Sequence, residues 1–219
     1  MKSYNGILDH LLPYKANLLQ VAEYSDPFGK PGCIIIFDKD PEYLMKGIKD
    51  LRLWCARNRL QFPLVVDRSF IESSQDSYPL ELLSFSHQYR NIYDSTDLLA
   101  TLKLEKADVR LQMERELKSK WLHTRMALLS ESLNEAKIAR LIKVSITAIL
   151  PVFKGFLYLS GTGIPQNLAE LVDQTQQTTG IDLSLIRSLI ASSKTNTELA
   201  LSYLSLISSL LKHLDEAAL

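Results

Sequence analysis

The pattern of apolar residues changes near residue 100, and this change constrains the fold more than any other feature. Before it, short β-branched runs, CIIIF at 33–37 and FPLVVD at 62–67, alternate with stretches of helical period. Beyond it, nearly every segment carries helical period, with turn signals between segments. A chain of 219 residues has room for one large domain or two small ones with cores of their own. The expected fold class is α+β: a small mixed sheet with flanking helices over 1–100, followed by an all-α helical bundle over 101–219.

Within the first part, residues 5–16 read as helical, and Leu18–Tyr24 as helix or a first strand. The turn formers of SDPFGKPG (25–32) make a loop. CIIIF is continuously apolar and predicts a strand covered on both faces. Pro41–Asn58 reads as a helix with Leu44, Ile48, Leu51 and Cys55 on one stripe. FPLVVD is a second core strand, and YPLELLSF (78–85) is read as a third, with Pro79 at its start. In the second part, helices are expected over about 105–129, 135–159, 166–178, 183–192 and 197–217. On the last, Leu199, Ala200, Tyr203, Leu206, Ile207, Leu210, Leu211 and Leu214 form a stripe that Leu201 and Leu204 widen. So broad a stripe calls for more than one neighbour.

Charge excludes some functions. Lys and Arg number 25, Asp and Glu 25. A surface built to hold a polyanion carries a basic excess, so nucleic acid is not an expected partner. Residues 101–125 have only a mild bias, seven Lys and Arg against four Asp and Glu. Cys33 and Cys55 fit neither a disulfide framework nor a metal knuckle, and read as small apolar fillers in a reducing compartment. MKSYNGILDHLLPYK lacks the apolar core and cleavage site of a signal peptide. The apolar window Leu141–Leu159 contains Lys143, Pro151 and Lys154, which suits a buried, kinked helix better than a membrane span. The chain is expected to be cytoplasmic, with no membrane partner.

Three stretches together resemble a known family. Residues 33–99 run as strand, helix, strand, then Pro79-Leu80-Glu81 in a strand and a turn, RNIYDSTDLL. The helix VRLQMERELKSKWLHTR puts Arg110, Gln112, Glu114, Glu116, Lys120, Leu122 and Arg125 in a characteristic order. ILPVFKGFLYLSGTGIP follows as a further helix with a Gly-x-x-x-Pro ending. In this order, over about residues 18–165, they resemble the nucleotidyltransferase-like proteins, with a DNA polymerase beta type of catalytic domain and an appended helical domain. The resemblance implies a Gly-Ser turn contacting nucleotide phosphates and a following strand that opens with Asp-x-Asp. Those carboxylates hold two metal ions that neutralise the triphosphate and activate the attacking hydroxyl, so both must share a face.

This chain departs from that pattern where the chemistry resides. Pro31-Gly32-Cys33 stands where Asp-x-Asp is implied, and Tyr24-Ser25, without glycine, where the Gly-Ser turn is implied. Asp38 and Asp40 lie six or seven residues further on, roughly 20 Å away at about 3.3 Å per residue. Asp40-Pro41-Glu42 also reads as an N-cap, a proline at N1 and an acid in the first turn, and this bland reading is preferred.

Other candidates have similar double readings. Glu81 could stand for the family's third acid or be an ordinary strand-face glutamate. Arg110, Glu114 and Lys118 share a helix face and could grip a phosphate, although i, i+4 ion pairs are the commoner use of that spacing. Arg125, beside Trp121 and Leu122, could be half-buried between domains or contact a ligand. His10, His87, His123 and His213 stand singly, without ligand spacing for zinc. Gly161-Thr162-Gly163 follows a helix and reads as its C-cap.

The expected function is a non-catalytic binding or assembly module, without a cofactor. The alternative is an active nucleotidyltransferase that uses Asp38, Asp40, Glu81 and Mg²⁺. Ligand candidates are Arg110, Lys118 and Arg125, for a nucleotide or another small molecule. The width of the last helix's stripe points to a homodimer through the helical half.

Overall fold

The computed structural model describes residues 3–26, 28–41, 44, 48–130, 135–191 and 197–216. The chain forms two compact units, Met1–Leu104 and Glu105–Leu219.

The first unit is built on a four-stranded mixed sheet. Strands β1 (Leu18–Ser25) and β2 (Pro31–Phe37) form an antiparallel hairpin, with Tyr24 opposite Gly32 and Glu23 opposite Cys33. Helix α1 (Lys49–Arg57) leads to β3 (Leu64–Asp67), which lies parallel to β2. Strand β4 (Arg90–Asp94) pairs antiparallel with β1, so the order is β3-β2-β1-β4.

Both sheet faces are covered, as the apolar run in β2 requires. Cys33, Ile35 and Phe37 share one face with Val21 and pack with Tyr4, Ile7, Leu11, Leu51 and Cys55. Ile34 and Ile36 share the other with Ala22, Ile71, Leu82 and Leu99. A register shift between Leu18 and Gln20 turns Leu18 to the side of Val21.

Several elements differ from the sequence reading. Residues 78–85, expected as a strand, lie almost wholly in helix α3 (Pro79–Ser86). The segment has no β-branched residue, proline starts a helix well, and Leu80, Leu82 and Leu83 are all buried. The stretch RNIYDSTDLL, read as a turn, contributes β4 before it turns. Residues 5–16 form two 3₁₀ segments, Ile7–His10 and Leu12–Asn17. A short helix α2 (Arg68–Ser73) begins directly after β3, with Asp67 Oδ1 accepting the Phe70 N–H at 2.8 Å. Of the expected helix 41–58, Lys49–Arg57 is helical and the stripe Leu44, Leu51, Cys55 is buried. The proposed cap at Asp40 depends on partners outside the described residues.

The second unit comprises α4 (Lys106–Ser130), α5 (Glu135–Ser160), α6 (Leu168–Thr179), α7 (Ser184–Ala191) and α8 (Thr197–Glu216). Helix α5 touches each of the other four and buries Ile138, Ile142, Ile149, Phe153 and Leu157. Its residues Ala136–Ser160 are long and apolar enough to cross a membrane by composition, yet most of this stretch is buried inside the protein. Gly161, at φ 71°, ends it, with the Thr162 N–H donating to the Leu157 carbonyl.

Helix α8 corrects the surplus expected on the last helix. Ala200, Tyr203, Leu204, Leu206, Ile207, Leu210 and Leu214 are all buried, and of the stripe only Leu201, 55% exposed, stands clear. The helix is enclosed on more than one side, because α4 and α5 both pack on it. The hydroxyls of Ser202, Ser208 and Ser209 on its outer side donate to carbonyls four residues back.

Candidate functional site

The opening of β2 is where the resemblance implies metal-binding carboxylates. Residues 31 and 33 of the strand point to one face. Cys33 is 2% exposed there, in the cluster that holds Tyr4, Ile7 and Cys55. Burial, with Glu23 close by, pushes its thiol strongly up. On the opposite face, the Tyr24 ring lies over Gly32. A Cβ at Gly32 would stand 2.8 Å from the Tyr24 hydroxyl oxygen and closer still to its ring carbons. In the exposed turn between the strands, Asp26 Oδ1 accepts the N–H groups of Phe28 (2.9 Å) and Lys30 (2.8 Å). Those amides are therefore already engaged by a carboxylate of the chain itself.

The candidate acids do not assemble. Asp38 follows β2, its N–H bonded to the Asn17 carbonyl, and its Oδ1 accepts from Arg68 Nε at 2.7 Å. Asp40 is exposed. Glu81 lies in the first turn of α3 rather than on a strand face, where a carboxylate suits the helix N-terminus. Among the described residues, no group of three or more His, Cys, Asp or Glu is placed to hold a metal ion. The residues present do not fit the metal pair that the resemblance implies.

The helix cations each have a partner within the helical unit. Arg110 Nε donates to the Leu214 carbonyl at 3.2 Å, with Nη2 3.8 Å from Asp215, so it closes the C-terminal end of α8. Lys118 pairs with Glu114 one turn before it. Arg125 is exposed rather than half-buried, and its guanidinium lies 5.2 Å from the centre of the Trp121 ring. All three fall along one side of α4, and Arg110 reaches across to α8.

A densely connected polar cluster among the described residues involves none of these side chains. Gln20, fully buried in β1, donates from Nε2 to Asn91 Oδ1 (2.8 Å) and Asp97 Oδ1 (2.7 Å), and accepts from the Leu99 N–H. Asp97 also accepts from the Tyr89 hydroxyl (2.7 Å), the Ala100 N–H (3.0 Å) and Asn91 Nδ2 (2.8 Å). Burial works to raise the Asp97 carboxyl, but these hydrogen bonds outweigh it and hold the group below the usual carboxylate range. The cluster ties the turn after β4 to the middle of the sheet. Its signal in the sequence is a lone glutamine inside LLQVA and an aspartate before the pair Leu98-Leu99.

The sequence matches no family model and no curated protein. One solved structure is similar. It is a nucleotidyltransferase-like protein from Exiguobacterium sibiricum, 12% identical, with 95% of this chain and 74% of that chain covered and a TM-score of 0.43.

Proposed function

We propose that this chain is a non-catalytic nucleotidyltransferase-like protein that acts as a binding or assembly module. The observation that carries the reading is the opening of β2, where Pro31, Gly32 and Cys33 supply no carboxylate and Cys33 is enclosed in the core. Divalent cations of the kind used in nucleotidyl transfer take oxygen ligands at about 2 Å, from groups that converge. Here Asp38 is paired with Arg68, and Glu81 belongs to a helix that packs on the other sheet face through Leu82. The buried, free thiols of Cys33 and Cys55 suit a reducing cytoplasm.

Assembly as a homodimer through the helical half is part of the proposal. Its support lies on α4 rather than α8. Leu111, Leu122, Met126 and Leu129 recur on one side of α4 and are 44, 51, 53 and 71% exposed.

The test is incubation with radiolabelled ATP, CTP, GTP or UTP and Mg²⁺ or Mn²⁺. No label is expected to move onto protein or acceptor above the blank. Transfer that disappears in Asp38→Asn or Glu81→Gln would overturn the reading in favour of an active enzyme. Calorimetry with the same nucleotides then asks whether a nucleotide binds without reacting.

A further inference from the structure

The absence of carboxylates at 31–33 does not by itself explain why the opening of β2 is closed. The face carrying Cys33 is roofed by the start of the chain. Tyr4 is fully buried in the same cluster as Cys33 and Cys55, followed by Ile7 and Leu11. Two polar anchors hold this segment down. Glu23, opposite Cys33 in the ladder, accepts from the Ser3 hydroxyl (3.0 Å), the Tyr4 N–H (3.1 Å) and Arg90 Nη2 (3.1 Å). At its other end the Tyr4 hydroxyl donates to the Gln61 carbonyl at 2.7 Å, across the connection between α1 and β3. His10 adds a ring contact with Trp54 of α1, centroids 5.3 Å apart.

We infer that residues 3–11 are an internal seal, pinned by Glu23 and Gln61, on the face of β2 where a metal pair would stand. The inactive state is therefore held by packing as well as by the lack of acids at 31 and 33. This rests on the non-catalytic reading and adds to it what occupies the site: a segment of the chain itself. A carboxylate placed at position 33 enters an apolar core instead of a cleft. Restoring acids there destabilises the unit without creating a cation site.

Cys33 is a built-in reporter. The native chain is treated with N-ethylmaleimide, and peptide mass mapping follows Cys33 and Cys55 separately. Cys33 is expected to react at least about a thousandfold more slowly than in urea, as a site opened only by unfolding does. Tyr4→Ala should raise its rate more than Ile71→Ala does, a control on the opposite sheet face, after urea melts correct for stability. Fast modification in the native wild type, or equal corrected rates in the two variants, overturns the seal. A second arm measures Mn²⁺ binding to Pro31→Asp/Cys33→Asp by water-proton relaxation. Binding while Tyr4 is in place also overturns it. Nucleotidyl transfer by the wild type, by contrast, would defeat the functional reading and leave thiol protection untouched.

Discussion

At the residue scale, Asp97 has the most consequential environment. Its carboxylate collects hydrogen bonds from Gln20, Tyr89, Asn91 and the Ala100 amide, and is held below the usual range. A carboxyl depressed in the folded state adds stability above its unfolded pKa, about 3.9, and that contribution fades as pH falls through the folded value. Asp97→Asn should therefore unfold more easily at pH 7 and show a flatter loss of stability on acidification than the wild type. Urea melts at a series of pH values check this; parallel acid limbs for both proteins would contradict it. The charge at 97 is visible in the sequence, but its value is not. Asn91 and Gln20 lie 6 and 77 residues away, and only the pairing of β1 with β4 brings them together.

At the element scale, the β1–β2 hairpin shows how one pair of residues can set a surface. Gly32 lets the Tyr24 ring lie close over the strand, and that ring also packs on Phe85 of α3, with centroids 5.1 Å apart. Gly32→Ala should cost roughly 1–3 kcal/mol, because the added methyl group overpacks the ring and pushes it from Phe85. With Tyr24→Ala already in place, the same change should become nearly neutral. A double-mutant cycle by chemical denaturation measures that coupling, and a cost unchanged in the Tyr24→Ala background would refute the packing account. The elements of the helical unit were legible because their 3.6-residue period is sustained over many turns. The segment at 79–86 was not, since a short apolar run fits either period and its partners decide.

At the scale of the whole molecule, association is the property most open to measurement. The proposed dimer face on α4 predicts sedimentation at micromolar concentration as a species of twice 24.8 kDa. Leu122→Glu/Met126→Glu should return it to a folded monomer, while Leu201→Glu on α8 should leave it dimeric. A clean monomer for the wild type would remove the dimer from the proposal.

The sequence alone determined the α+β class, the two buried faces of β2, the helices beyond residue 105 and the lack of carboxylates at 31–33. Each of these follows from local period or from residue identity, which the chain carries without reference to contacts. Tertiary structure decided which acids are spent on Arg68 or a helix start, that α8 is enclosed, and that Tyr4 is buried in the cluster that holds Cys33. It also decided that Gln20 and Asp97 meet. Those outcomes depend on burial and on partners far apart in sequence, and a carboxylate or leucine reads the same in the chain whether it faces water or a neighbour.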